Sequence, residues 1–582
     1  MTCKVEIKSS QCLERNKVIA LTALFVTTLL VYIYTFKVGF VWDDKLFIDQ
    51  QLTAVKDYNF LLGLKQATYF RPTVTLFSIL DHTIWYKNPF GYHLSNFFFH
   101  LSNVYFVLIL TYLLFRNYWM AFLAGLIFAI HSVHTESVNW IEGRTDLICT
   151  TFFLMAFTCY IYFRERHQKK ALFPFTIFAI LAVGAKETGV ALFLVLFLYE
   201  ILHHRQKILF AFLPLFLGIG FIALRSNLFQ KIVISILKKQ TFIVFFEKVI
   251  RAYGFYLQKI FLPIKLNFFI GALPESKFFF VFSSLSLVLL LGLFLFYSKR
   301  RPEISFCIGW WFITLLPVMC ILRGGIAVTP VAERYLYLPS VAFCSVIGYV
   351  LYLIFQKNRC IGIFMCLFIF AFYAHQTYTR TMLWTDEEKL WADTVKKSPE
   401  FGIPAHWYGT ILGTTKGKLR EAISVLEIAL RKPYMCGKGM DISGKDEYWR
   451  KSLICLSIGG AYAQLNEDVK AEEYFKKALY YFASPEAYYV LGSFYLKKAE
   501  YHTPDGKIYF EEDLVRKAGR CFEHCLKFRP GLQRAHFKIG MAYYLIDNKE
   551  KARKHFKKAI KIDPRSEWAK KTCWWLGKLQ GQ

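Results

Sequence analysis

Five stretches of this sequence carry the residue types that chemistry needs. They are Trp42, Asp43 and Asp44; RPT (71–73) with Arg71; HSVHTESVNWIEGRTD (131–146) with His131, His134, Glu136 and Arg144; KET (186–188) with Lys186 and Glu187; and RGGIAVTPVAERYLYLP (323–339) with Glu333 and Arg334. A carboxylate such as Asp43 or Asp44 can take a proton from a hydroxyl. Arginine and lysine can hold an anion, and a guanidinium grips a phosphate through two parallel donors. That makes Arg334 the first candidate for an anion and Arg71, Arg144 and Lys186 the second group. Each feature also has a structural reading. Glu333 with Arg334, and Lys186 with Glu187, equally suit salt bridges that tie segment ends together. His131 and His134, with Glu136, suit metal ligation, but H-x-x-H spacing alone favours histidines hydrogen-bonded in a packed interior. No cofactor is required by these residues. A divalent metal, Mg²⁺ or Mn²⁺, is compatible with them, Asp43, Asp44, His131, His134 and Glu136 being the candidate ligands, because two adjacent carboxylates resist joint ionisation unless a cation is near.

These five stretches need elements to hold them. The 582 residues are 55% hydrophobic and 18% aromatic, too apolar for one soluble domain of this length. The apolar residues fall in blocks of about 17 to 25, enough to cross a bilayer as helices. The expected spans are Val18 to Phe36, Leu94 to Phe115, Tyr118 to Ile130, Leu147 to Phe163, Ala171 to Ala185, Val190 to Leu202, Ile208 to Leu224, Phe278 to Tyr297, Ile304 to Leu322, Tyr335 to Phe355 and Ile361 to Tyr373. Phe242 to Phe269 carries Lys248, Arg251, Lys259 and Lys265 and reads better as an interfacial or re-entrant helix. No cleavage site follows the first apolar block, so it is expected to remain as the first helix. With the N-terminus in the cytoplasm, RERHQKK (164–170), HHRQK (203–207), SKRRP (298–302) and QKNR (356–359) fall inside, as positive loops should. The five polar stretches then share the opposite side. The formal charge of +30 sits largely in such loops, which points to lipid headgroups and not to nucleic acid. The 14 cysteines form no C-x-x-C pair, so zinc and dithiol chemistry lack support.

From Trp384 onward the composition is that of a soluble helical protein with a period near 34: Pro399 and Pro433 are 34 apart, as are Pro530 and Pro564. In the last unit His536, Ile539, Gly540, Tyr543, Ala552, Phe556, Ala559 and Pro564 occupy tetratricopeptide offsets. Upstream units follow with Gly459, Tyr462, Ala471, Phe475 and Ala478; with Leu491, Gly492, Tyr495, Ala518, Phe522 and Pro530, interrupted by a loop near HTPDGK; and with Ala422, Leu426 and Ala429. The expected architecture is all-α: a polytopic membrane domain over residues 1–380 with about eleven spans, then an α-solenoid of about four repeats over residues 384–582.

GFVWDD, YFRPT, HSVHTESVNWIEGRTDL, AKETGV and ERYLYLPS, in this order and ahead of the repeats, resemble the family of transmembrane and tetratricopeptide-repeat O-mannosyltransferases. The resemblance runs from about residue 36 to the end. It implies an integral-membrane fold of the GT-C class, a polyprenyl-phosphate sugar donor, a site facing away from the cytoplasm, and a catalytic role for the acidic pair Asp43 and Asp44, with the identity of the base left open between them. Such a transfer needs a carboxylate for the acceptor hydroxyl and cations for the departing phosphate, and Trp42 and Trp140 would either stack on a sugar or mark the membrane interface.

The resulting expectation is a hexosyltransferase moving mannose from that carrier to a protein or peptide hydroxyl presented near the repeats, in contact with membrane lipids and no nucleic acid. A surface glycan or lipid acceptor is the first alternative. A catalytically silent scaffold is the second, though anchoring requires none of the five stretches, and a transporter would show internal symmetry among its spans. Chain length favours a bacterial inner membrane with periplasmic repeats over an endoplasmic reticulum membrane with luminal ones.

Overall fold

The computed structural model describes residues 2–44, 48, 71–204, 242–323, 329, 331–414, 417–433, 444–502 and 508–580. Helix dominates throughout, and among the described residues the one sheet is a short antiparallel hairpin, Glu500–His502 with Ile508–Phe510. The chain divides into two compact units, one running to Lys397 and one beginning at Ser398. The helix Glu387–Lys397, beyond the change of composition at Trp384, groups with the first unit.

Among the described residues of the first unit, six helices are long and apolar enough to cross a membrane: Pro89–Phe115, Arg144–Arg166, Lys277–Arg300, Pro302–Met319, Ser340–Lys357 and Arg359–Trp384. A seventh arises if the bent pair Tyr118–Ile130 and Ser132–Asn139 is one span. Lys17–Val31, Leu172–Ala185 and Ala191–His203 are apolar but shorter. Every expected span within the described residues therefore falls on a helix, while Ile208 to Leu224 lies outside them. Phe242–Phe261 is helical and is not among the six. The helix Pro72–Trp85 matches no expected span: it begins inside RPT, with Pro72 at its first position, where the missing N–H costs nothing.

Small residues and buried ion pairs lock these helices together. A Cβ on Gly348 would stand 2.7 Å from the Met120 carbonyl oxygen, so Ser340–Lys357 and Tyr118–Ile130 meet backbone to backbone. Arg164 clasps Glu200 through two 2.6 Å bonds, with Tyr160 donating to the same carboxylate at 2.9 Å, and so ties Arg144–Arg166 to Ala191–His203. The connection from His131 to Gly143 is a 3-10 turn and a five-residue helix that is almost wholly buried. Its backbone groups must be satisfied internally. Asn96 donates to the carbonyls of Val138 and Trp140 at 3.2 and 3.3 Å, and Thr377 donates to that of Ile130 at 2.5 Å.

The second unit stacks helix pairs: Gly402–Leu412 with Leu419–Arg431, Gly444–Gln464 with Asp468–Tyr481, Pro485–Ala499 with Glu512–Phe528, and Gln533–Leu545 with Lys549–Ile562, closed by Glu567–Gln580. One device recurs in each pair. A glycine on the first helix receives a large side chain from the second: Gly409 against Leu426, Gly459 against Phe475, Gly492 against Phe522 and Gly540 against Phe556. A Cβ at these positions would stand 2.4 to 2.9 Å from that side chain, so the pairs close only because none is there. The hairpin strands Glu500–His502 and Ile508–Phe510 lie on either side of TPDGK, and the segment 503–507 lies outside the described residues.

Candidate functional site

Asp43 and Asp44 sit on a turn just beyond the 3-10 turn Ile33–Lys37 and play different parts. Asp44 is fully buried. Its Oδ2 accepts the Val41 N–H at 2.8 Å, and its Oδ1 accepts the Glu142 N–H at 3.1 Å. It therefore bolts the first loop to the I-E-G-R turn. That turn needs its glycine, since a Cβ on Gly143 would lie 2.9 Å from the Glu136 carbonyl oxygen. Asp43 lies beside the Glu142 carboxyl, and its Oδ1 is buried with no hydrogen-bond partner. Burial, and then the charge of Glu142 and a hydrogen bond to it, hold the Asp43 carboxyl far above the usual carboxylate range. Burial likewise pushes Asp44 up to about 8, although its two backbone donors and Arg144 pull the other way. The site thus holds three carboxyls, of which Glu142 was not singled out in the sequence. Nothing in I-E-G-R distinguishes it from a solvated glutamate.

Trp42 frames the turn. Its backbone is in the left-handed region at φ 55°, which bulky residues rarely adopt. Its N–H donates to Glu387 Oε1 at 2.9 Å. Its ring stacks on Trp140 with centroids 5.4 Å apart and meets the edges of Phe268 and Trp391 at 5.4 and 6.0 Å. This aromatic group also reaches a cation, because the Arg334 guanidinium lies 5.2 Å from the Trp140 ring and 5.0 Å from that of Tyr335.

The cations converge, but on partners other than the adjacent acids. Arg334 pairs with Glu136, through its guanidinium and through its backbone N–H at 3.0 Å, and not with Glu333. Glu333 instead takes Arg380 at 3.0 Å and the Asn267 N–H at 2.6 Å. Lys186 pairs with Asp146, 2.6 Å from each oxygen, and not with Glu187, which takes Arg71 at 3.0 Å. The physical reason is direction: neighbours in an extended or 3-10 stretch point apart, whereas side chains from facing segments meet. Burial depresses the Lys186 ammonium, Asp146 opposes this, and the nearby charges of Arg71 and Arg334 add to it. These three cations therefore occupy one neighbourhood. Arg144 does not join them. It is fully buried, held by Asp81 at 2.7 Å, Asn96 at 3.1 Å and the Tyr92 carbonyl at 3.0 Å, and lies near enough to Asp44 to influence it. Its position is that of a brace.

The histidines are hydrogen-bonded within the interior. His131 Nε2 faces the Ile260 carbonyl at 2.9 Å; His134 faces the Phe128 carbonyl at 2.9 Å and Ser340 Oγ at 2.8 Å. With Glu136 taken by Arg334, these three do not form a ligand set. Among the described residues no group of three or more His, Cys, Asp or Glu is disposed to hold a metal ion.

Protein O-mannosyl-transferase F38B6.6 of Caenorhabditis elegans is 26% identical over 363 residues, 59% of this chain and 51% of the relative. Protein O-mannosyl-transferase TMTC2 of Homo sapiens is 33% identical over 145 residues, 24% of this chain and 17% of the relative. Protein O-mannosyl-transferase TMTC1 of the same species is 30% identical over 152 residues, again 24% and 17%. This chain resembles the transmembrane and tetratricopeptide-repeat O-mannosyltransferase family. The matches span about half, or less, of the length of these relatives. The family model for the tetratricopeptide repeat matches residues 533–566, the fourth helix pair. Among solved structures, that of YrrB, a TPR protein with an unusual peptide-binding site, is similar at 17% identity over 38% of this chain and 95% of its own, with a TM-score of 0.22.

Proposed function

We propose that this chain is a membrane-embedded protein O-mannosyltransferase, taking mannose from a polyprenyl-phosphate carrier and joining it to a hydroxyl of a protein acceptor on the non-cytoplasmic side. The observation that carries the reading is one wall of contacts, Asp43 beside Glu142, Trp42 on Trp140, and Trp140 beneath Arg334, which supports a base and an anion-holding group on the same aromatic frame.

In this reading the acceptor oxygen attacks C1 of the sugar, the bond from C1 to the phosphate oxygen breaks, and the acceptor proton passes to a carboxylate. Asp43 is the base. Its Oδ1 is buried but has no hydrogen-bond partner, whereas both oxygens of Asp44 are occupied by backbone N–H groups, which makes Asp44 the positioning partner. A carboxylate with a raised pKa is the better proton acceptor once ionised. The charge growing on the leaving phosphate is met by Arg334, which uses Nη1 for Glu136 and retains further donors, with Lys186 and Arg71 behind it. The likeness to named protein O-mannosyl-transferases favours a protein acceptor, and a stack of helix pairs is the kind of surface that receives extended peptide. No step requires a metal.

The test is transfer of labelled mannose from a polyprenyl-phosphate donor to Ser/Thr peptides by the full chain in proteoliposomes. Transfer is expected, and it disappears in the Arg334→Ala variant. Sugar delivered to a lipid or glycan and to no peptide would redirect the acceptor assignment; no transfer at all would refute the enzyme reading.

A further inference from the structure

The turn bearing Asp43 is not held only by its own loop. Glu387, at the start of Glu387–Lys397 and 345 residues away in sequence, accepts the N–H of Trp42, the residue immediately before Asp43. Trp42 needs such help. A left-handed backbone on a tryptophan is sparsely populated and persists where the surroundings over-determine it. The same short helix supplies Trp391, which is buried against the rings of Trp42 and Phe268. Its last residue, Lys397, donates to the Leu266 carbonyl at 2.8 Å, next to the segment that presents Phe268. The helix is therefore anchored at both ends and packs Trp391 against the turn.

We propose that Glu387 is a positioning residue: by accepting the Trp42 N–H it holds the W-D-D turn in its left-handed form and so aims Asp43 at the acceptor. Glu387 touches neither reacting group, so its effect travels through the Trp42 backbone alone. What matters is an acceptor oxygen at the Oε1 position and not the negative charge. Glutamine supplies that oxygen, and alanine does not. The catalytic half of this inference rests on the transferase reading above; the structural half, the pinning of the turn, does not.

The experiment compares Glu387→Ala and Glu387→Gln in the full chain by two readouts. The first is steady-state transfer. Misplacing a catalytic group by about 1 Å can cost on the order of 100-fold in rate. Glu387→Ala is accordingly expected to lower kcat by roughly 10- to 100-fold while donor KM stays within about threefold, and Glu387→Gln to retain kcat within about threefold. The second is hydrogen–deuterium exchange over residues 38–44, where the Trp42 amide is expected to exchange at least ~10-fold faster in the alanine variant and near the wild-type rate in the glutamine variant. Unchanged exchange and unchanged kcat in Glu387→Ala would overturn the proposal. Equal loss in both variants would overturn it as well, because it would assign the effect to charge. If the unsubstituted protein transfers no sugar, the transferase reading fails, and exchange at Trp42 still decides whether Glu387 pins the turn.

Discussion

Asp43 and Asp44 are neighbours with the same chemistry, yet their surroundings predict opposite consequences for the same substitution. Asp44→Asn replaces one carboxylate oxygen with an amide nitrogen where both oxygens accept backbone N–H groups at 2.8 and 3.1 Å. One buried donor then faces another, at a cost of about 1–3 kcal/mol of stability. Asp43→Asn loses no hydrogen bond at Oδ1, which has none, and relieves the proximity to Glu142. Its stability is expected to be unchanged or slightly higher, while transfer falls by about 10²- to 10⁴-fold, or roughly 3–5 kcal/mol in the barrier, as for loss of a general base. Rates measured with a polyprenyl-phosphate mannose donor, alongside thermal unfolding in the same detergent, separate the two. The pH dependence adds a sign. Both carboxyls have folded-state values raised above their ordinary 3.8, Asp44 to about 8. Their contribution to stability is therefore full below that ordinary value and is lost as pH rises through about 8 for Asp44 and about 9 for Asp43. Transfer, which needs the ionised base, rises over the same range, and Asp43→Asn should flatten that rise. An Asp43→Asn enzyme that keeps more than a tenth of the wild-type rate, with Asp44→Asn inactive at full stability, would reverse the assignment.

Two further substitutions probe the frame. Glu333→Gln leaves Arg380 buried at 7% exposure without its counter-charge and is expected to destabilise the first unit by about 3–5 kcal/mol, with much of the loss recovered in Glu333→Leu/Arg380→Met, as read by thermal unfolding. In the second unit Gly540→Ala drives a Cβ to 2.4 Å from the Phe556 ring, for a loss of about 1–3 kcal/mol in the melt followed by circular dichroism, whereas Gly577→Ala, with nothing within 4 Å, should be neutral or mildly stabilising.

How much of this was legible in the sequence depends on the distance over which each feature is encoded. The apolar helices were, because lipid demands a local run of apolar residues: each expected span within the described residues overlaps a helix, and six or seven of those helices are long and apolar enough to cross a membrane. The repeats were too, since the glycine and the side chain it receives are 16 or 17 residues apart in three of the four pairs, Gly409 with Leu426, Gly459 with Phe475 and Gly540 with Phe556. Gly492 and Phe522 depart from that spacing because the hairpin lies between their helices. Pro72–Trp85 was missed because its 14 residues, mostly apolar but carrying Asp81 and His82, are too few to cross a bilayer and so do not register as a span.

The ion pairs show where sequence reasoning ends. That Glu333, Arg334, Lys186 and Glu187 would be paired follows from the cost of an isolated buried charge, and all four are paired. The partners do not follow. Glu136 and Arg334 are 198 residues apart, Asp146 and Lys186 are 40 apart, and Arg71 and Glu187 are 116 apart. Adjacent acids seemed the natural partners because a sequence displays only adjacency, whereas burial requires partners from whichever segment faces the charge. The same logic applies to the proposed transfer. If Glu136 and Asp146 neutralise Arg334 and Lys186 in the resting site, an arriving phosphate competes with carboxylates already in place. Binding is then governed by the donors that those carboxylates leave unused, so the acids flanking the cations set donor affinity as much as the cations do.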